Sequence, residues 1–357
     1  MDEVAILRDL VEAYSPSGDE TEAVGRFVRI AKALGFHAAV DNAGNGIAHR
    51  GTGRPEILYL GHIDTVDGEL PVRVVAGRLY GRGAVDAKGP LAAALLAASS
   101  YDGPGKVTIV AAVGEERDSR GSRFLLTRPA PDFMIIGEPG GWRSVTIGYK
   151  GNLSLVLRFA GKRSHLSSPS PTTVDRALDF ASKIRAFCEV RQGASPFHSL
   201  SAKVHTIDTR REGDAETVEV GVNLRLPPAV TTAEVLRFIE EDQVADSVVV
   251  VDRSEAIEVN PRNDVVRTLC AEIRRHGGEP TLRRKLGTSD MNLTVPRWEC
   301  PAAAYGPGDS HLSHTDRECL DIEDLRKAVE VLHGAFSALT SAEQRVLARV
   351  PKRRPSV

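Results

Sequence analysis

The chain carries no apolar run near the roughly 18 residues that span a bilayer, which argues against a transmembrane helix. Its four cysteines, Cys188, Cys270, Cys300 and Cys319, stand far apart with no CxxC pair. They read as reduced thiols of a cytosolic protein. An excess of one charge is missing too. Lys and Arg number 46 against 48 Asp and Glu, a formal net charge of −2, which gives no global pull toward nucleic acid or anionic membrane. The start, MDEVAILRDLVEAY, has acids where a secretion signal has bases, and reads as an amphipathic helix. A cytoplasmic protein is the expectation. There are no internal repeats and no low-complexity tract. The phosphate-loop spacing GxxxxGK followed by Ser or Thr is absent, and so is the G-x-S-x-G elbow of serine hydrolases.

At 357 residues, 41% hydrophobic and 26% charged, the chain is long enough for two domains of ordinary soluble composition. Helical periodicity covers Glu3–Tyr14 and Glu20–Leu34. Strand-like runs follow at Ile57–Leu60, Val107–Val113 and Phe133–Ile136, with an alanine-rich helix over Pro90–Ser99. Strands alternating with helices predict an α/β fold with a mostly parallel sheet covered on both faces. The pattern changes near Lys150. Strand 153–159, helix 173–188, strands 201–207 and 217–226, helix 231–240 and strand 247–251 make the β-α-β-β-α-β order of a ferredoxin-like unit. A helix to His276 and a strand near 281–286 then resume the first pattern. The expected organisation is a catalytic domain of residues 1–150 and 259–350, an inserted domain of 151–258, and a disordered basic tail, 351–357.

The stretch ILYLGHIDTVDG sets a chemical question, because His62 and Asp64 leave an apolar strand directly. The same sequence of apolar strand, glycine and polar group recurs. Glu115 and Glu116 follow VTIVAAVG, and Glu138 follows FMIIG. Asp86 precedes the alanine-rich helix in YGRGAVDAKGP, and His314 lies in YGPGDSHLSHTDRE. In a parallel sheet such ends converge on the ligand crevice. Singly, each group is more often a hydrogen-bonded or solvated side chain. Together, crowded carboxylates repel unless something holds them. A pair of metal ions explains the set, with Asp86 placed to bridge them. Two dications bring four positive charges, and Asp86, Glu116, Glu138 and one hydroxide bring four negative. That count leaves Glu115 as general base. The HxD spacing puts His62 and Asp64 on one face, so that Asp64 can accept the second imidazole N–H.

As an ordered set, GHIDTV, GRGAVDAKG, GEE, IIGEP, GTSD and the HxxxE of HTDRE resemble the dinuclear zinc hydrolases that include acetylornithine deacetylase, succinyl-diaminopimelate desuccinylase and carboxypeptidase G. The resemblance covers nearly the whole chain, inserted domain included. It implies one metal on His62 and Glu138, the other on Glu116 and His314, Asp86 bridging, Glu115 as base and Asp64 as the partner of His62. His314 rather than His311 fits the family's spacing to a glutamate, here Glu318. The segment GKRSHLSSP is similar to the one whose histidine stabilises the oxyanion across a dimer, which implicates His165. VNLRLPP implies substrate contacts from Asn223 and Arg225, and GTSD from Gly287 and Thr288. Within the family, GTSDMN, AYGPGDSHLSHT and LYGRGAVDAKGPLAA look most like hydrolases that release lysine or ornithine from the C-terminal glutamate side chain of an amino-group carrier protein. The resemblance therefore implies two zinc (or cobalt) ions, a small acidic carrier as partner, a homodimer, and a place in lysine or arginine biosynthesis. The alternative is a small-molecule deacylase acting on N-acetylornithine, N-acetyllysine, N-acetylcitrulline or succinyl-diaminopimelate. A metal-free binding protein is disfavoured because every ligand position is filled. The basic run Arg283, Arg284 and Lys285 is a candidate docking patch for an acidic carrier.

Overall fold

Continuous apolar runs become the central strands. In chain order the first eight are β1 (His37–Val40), β2 (Gly46–Thr52), β3 (Glu56–His62), β4 (Arg73–Val75), β5 (Arg78–Tyr80), β6 (Gly105–Ala112), β7 (Phe133–Gly137) and β8 (Ser144–Tyr149). Then come β9 (Gly151–Lys162), β10 (Ser201–Glu212), β11 (Ala215–Leu226), β12 (Ser247–Ser254), β13 (Ile257–Glu258), β14 (Thr281–Lys285), β15 (Ala302–Ala304) and β16 (Cys319–Asp321). The structure is a computed structural model and describes residues 2–163, 165, 167–242 and 245–341. The expected basic tail lies outside the described residues.

The chain divides into two units. The second comprises Gly148–Glu258 and Arg284–Asn292, and the first holds the rest. In the first unit the sheet order is β1-β2-β6-β3-β7-β15-β8. The four central strands, β6, β3, β7 and β15, are mutually parallel, and the flanking pairs are antiparallel. Strands β3, β6 and β7 are buried almost end to end, as a sheet covered on both faces requires. The helix Lys88–Ser99 is apolar all round and almost wholly buried, the mark of a core helix rather than a surface one. It packs against Ile322–Thr340, whose cap Asp321 accepts the Glu323 N–H at 2.9 Å. A small sheet of β16, β5 and β4 completes the unit.

The second unit is an antiparallel sheet of order β10-β11-β9-β12 with helices Thr173–Glu189 and Thr232–Asp242. That is the strand order of a ferredoxin-like unit. A capping box between Thr172 and Asp175 starts the first helix. The boundary differs from the expected 151–258, because residues 284–292 pack with this unit. The Lys150 N–H donates to the Lys285 carbonyl, and the Asn292 amide donates to the carbonyls of Lys150 and Glu255 at 3.0 and 2.8 Å. Among the described residues no helix is long and apolar enough to cross a membrane.

Candidate active site

Three of the four central parallel strands, β3, β6 and β7, deliver their polar groups at their C-terminal ends. His62 is the last residue of β3, Glu115 and Glu116 follow β6 by three and four residues, and Glu138 follows β7 directly. Asp86 stands two residues before the helix Lys88–Ser99. His314 comes from the loop after β15, held at φ +61°, a left-handed conformation that non-glycine residues adopt mainly where their surroundings impose it.

These groups meet as three overlapping triads. His62, Asp86 and Glu138 form one, Asp86, Glu116 and His314 another, and His62, Glu115 and Glu116 a third that adjoins both, with one candidate ligand atom per residue and all atoms of a triad within 4.8 Å of one another. The Asp86 carboxylate faces both ways. Its Oδ1 lies 3.0 Å from His62 Nε2, and its Oδ2 lies 3.5 Å from His314 Nε2. His62 Nε2 is also 3.9 Å from Glu138 Oε1, and His314 Nε2 is 2.8 Å from Glu116 Oε1. Hydrogen bonds to Asp86 and Glu116 push the His314 imidazole up to about 10. Burial works against a proton on His62, yet its bonds to Asp64 and Asp86 raise it well above the usual imidazole range. The same carboxylates that hold protons on the two imidazoles would hold cations between them. The donor set of imidazole and carboxylate, shared through one bridging aspartate, fits two divalent ions.

Asp64 behaves differently from the expectation. His62 Nδ1 lies 2.9 Å from the Asp64 main-chain carbonyl, and the Asp64 carboxylate is farther away, at 3.6 Å. That carboxylate, fully buried, accepts the Glu115 N–H (3.0 Å), the Glu116 N–H (3.0 Å) and the Ser17 hydroxyl (2.6 Å). Burial pushes it up, and the His62 imidazole 3.6 Å away, with the Ser17 and Glu116 donors, holds it below the ordinary carboxylate range. Glu318, the last letter of HxxxE, is also a brace. Its Oε1 accepts the N–H groups of Val85 and Asp86 at 3.0 and 3.1 Å, and its Oε2 pairs with Arg82 at 2.9 Å.

The remaining expected residues belong to the second unit. His165 is exposed, with Nδ1 2.7 Å from the Ser167 hydroxyl. Asn223 donates to Asn152 Oδ1 and Ser154 Oγ. Arg225 and Gly287 line a cavity of about 710 Å³ together with Lys150 and Lys203, two cations that no motif had marked. Arg225 Nη1 is buried without a partner among the described residues. Thr288 is exposed. The basic run is only partly free for docking. Arg284 pairs with Glu258 at 2.6 Å, and Lys285 lies over the Tyr149 ring.

Residues 58–338 match the family model described as peptidase family M20/M25/M40. The chain is 37% identical to a putative LysW-lysine/LysW-ornithine hydrolase of Thermococcus kodakarensis, covering 96% of this chain and 94% of that protein. It is 35% identical to the LysW-lysine hydrolase of Deinococcus radiodurans, covering 94% and 96%. Among solved structures a Staphylococcus aureus tripeptidase superposes with a TM-score of 0.78 at 18% identity, covering 95% of this chain and 99% of that one. Human carnosine dipeptidase 1 gives 0.76 at 15% identity, covering 95% and 96%. At those identities the two structures speak for the fold alone.

Proposed function

The chain belongs to peptidase family M20/M25/M40 and is a hydrolase, and from that premise we propose that it cleaves the amide joining lysine or ornithine to the glutamate side chain of the carrier protein LysW. Relatives of this length and similarity that carry that name support the substrate. The observation that carries the chemistry is the two-sided Asp86 carboxylate, with one oxygen toward each histidine.

In this reading His62 and Glu138 would hold one divalent ion, Glu116 and His314 would hold the other, and Asp86 would serve both, with zinc or cobalt as the working metal. When bound, the pair supplies Lewis acidity to a water and to the scissile carbonyl. Glu115 takes the water's proton on its carboxylate and delivers it to the departing amine nitrogen. Its main-chain N–H is tied to Asp64, so the carboxylate starts from a fixed peptide. His165 serves the developing oxyanion as an N–H donor. It does so across a homodimer built on the inserted unit, the lid and dimerisation domain that the resemblance implies. Asn223, Arg225, Gly287 and Thr288 hold the substrate, with the half-buried Arg225, whose Nη1 is buried, suited to a carboxylate. The setting is lysine and arginine biosynthesis in the cytoplasm, with neither nucleic acid nor membrane as partner.

The test offers carrier-linked lysine and ornithine beside their free N-acetyl and N-succinyl forms. The expected kcat/KM on a carrier-linked substrate exceeds that on the free amides by 100-fold or more, on the order of 3 kcal/mol of transition-state binding. In Glu115→Gln, kcat falls by roughly 10²–10⁴ while the metal content stays that of the wild type. Faster turnover of a free N-acyl amino acid would make the chain a small-molecule deacylase instead.

A further inference from the structure

The segment Ser15–Glu20 supplies no candidate ligand, yet it is bonded to the loops that do. Thr65 donates its N–H to the Ser15 carbonyl at 2.8 Å, and Ser17 donates its own to the Thr65 carbonyl at 3.3 Å. The Ser15 hydroxyl donates to the Ile63 carbonyl at 2.7 Å. At the far end Glu20 accepts the Gly18 N–H at 2.9 Å and pairs with Arg120 at 2.6 Å, just beyond Glu115 and Glu116. The fully buried Lys88, two residues after Asp86, donates to the Ala13 carbonyl at 2.5 Å. The stretch from Ala13 to Glu20 is thereby tied to the chain segments carrying His62, Asp86 and Glu115–Glu116.

Ser17 stands at the centre of this clip. Its hydroxyl donates to Asp64 Oδ2, the oxygen that also accepts the Glu116 N–H, while Oδ1 accepts the Glu115 N–H. One carboxylate therefore fixes two consecutive peptides, and with them the directions in which the Glu115 and Glu116 side chains start. Ser17 adds a third, shorter bond (2.6 Å) to the two N–H bonds and ties this carboxylate to the N-terminal segment as well as to the turn. We propose that Ser17 is a positioning residue, acting through Asp64 on the Glu115–Glu116 turn. Its kinetic consequence rests on the reading of Glu115 as proton acceptor, whereas its structural consequence does not.

The two consequences are measured separately on zinc-loaded Ser17→Ala and Ser17→Thr. Hydrogen exchange is followed by mass spectrometry over a peptide covering residues 113–120. Ser17→Ala is expected to speed exchange there by about tenfold, as a locally opened hydrogen bond does, and Ser17→Thr, which keeps the hydroxyl, restores the wild-type rate. With a turned-over amide substrate, kcat in Ser17→Ala falls by about 10-fold, the lower end of losses behind a metal site, while KM changes less than twofold and the metal content is unchanged. Unaltered exchange in Ser17→Ala overturns the proposal, and so does equal damage in both variants, because then packing rather than the hydroxyl matters. Should the wild type turn over no amide, the hydrolase reading fails, and the exchange result still decides the role of Ser17.

Discussion

A single carboxylate, Glu318, shows how far a site residue can act without touching anything that reacts. It closes the loop that carries Asp86 from behind, and it is paired with Arg82, both side chains being at most 5% exposed. Removing one partner of a buried pair strands the other charge, at about 3–5 kcal/mol. Glu318→Leu should accordingly lower the stability from urea denaturation by about 3 kcal/mol, and adding Arg82→Met should recover part of it. A loss under about 1 kcal/mol would show that the pair is solvated in solution. From the sequence Glu318 was legible only as a spacing mark, since its partners Val85 and Asp86 lie more than 230 residues earlier. Ser17 was invisible for the same reason, its partner Asp64 being 47 residues away. The six groups of the cluster were legible because each follows a local pattern, an apolar strand running into glycine, a glycine-rich turn before a helix, or HxxxE. Where an inference depended on a side-chain direction, as for Asp64, local pattern was not enough.

At the scale of the element, the glycines that close these strands have a packing reason. Gly61 and Gly137 face each other across β3 and β7. A Cβ at 137 would lie 2.6 Å from the Tyr59 ring and 3.0 Å from the Gly61 Cα. The ring has little freedom to move, since its hydroxyl is 3.1 Å from both the Pro90 and Tyr305 carbonyls. Gly137→Ala should therefore destabilise by about 1–3 kcal/mol, as overpacked cores do, and weaken metal binding through the adjoining Glu138. Gly25, in the helix Thr21–Ala33, has nothing within 4 Å of its would-be Cβ, so Gly25→Ala should instead stabilise by about 0.5–1 kcal/mol. Melting curves and zinc titration of the two variants check both signs. The buried strands β3, β6 and β7 were legible as apolar runs. The mostly exposed β1 and the three-residue strands β4, β5, β15 and β16 were not, because too few residues alternate there for a period to emerge.

At the scale of the whole molecule, the proposed role of His165 across a dimer can be tested by mixing chains. If it serves the partner's site across a dimer, mixing His165→Ala chains with Glu115→Gln chains creates one intact site per heterodimer. Random mixing then restores about a quarter of wild-type activity from two inactive parents, half of the dimers being mixed and each having one of two sites whole. A mixture as inactive as its components would confine His165 to its own chain or remove it from the reaction. The alternation of strands and helices made the two-unit plan legible. The allegiance of residues 284–292 was not, because it depends on the Asn292 side chain reaching Lys150 and Glu255, a long-range choice with no local signature.

Strand β15 lies between β7 and β8, parallel to the first and antiparallel to the second. A chain made from its N-terminus completes both neighbours about 150 residues before Ala302 emerges, the span that carries the inserted unit. Through that interval the nascent sheet lacks the strand that joins β7 to β8, with two apolar strand edges offered to any other chain on the same messenger. A ribosome stalled inside this span releases a product that lacks His314 and retains an adhesive seam. Truncations between β8 and β15 should consequently be seen first as insoluble protein.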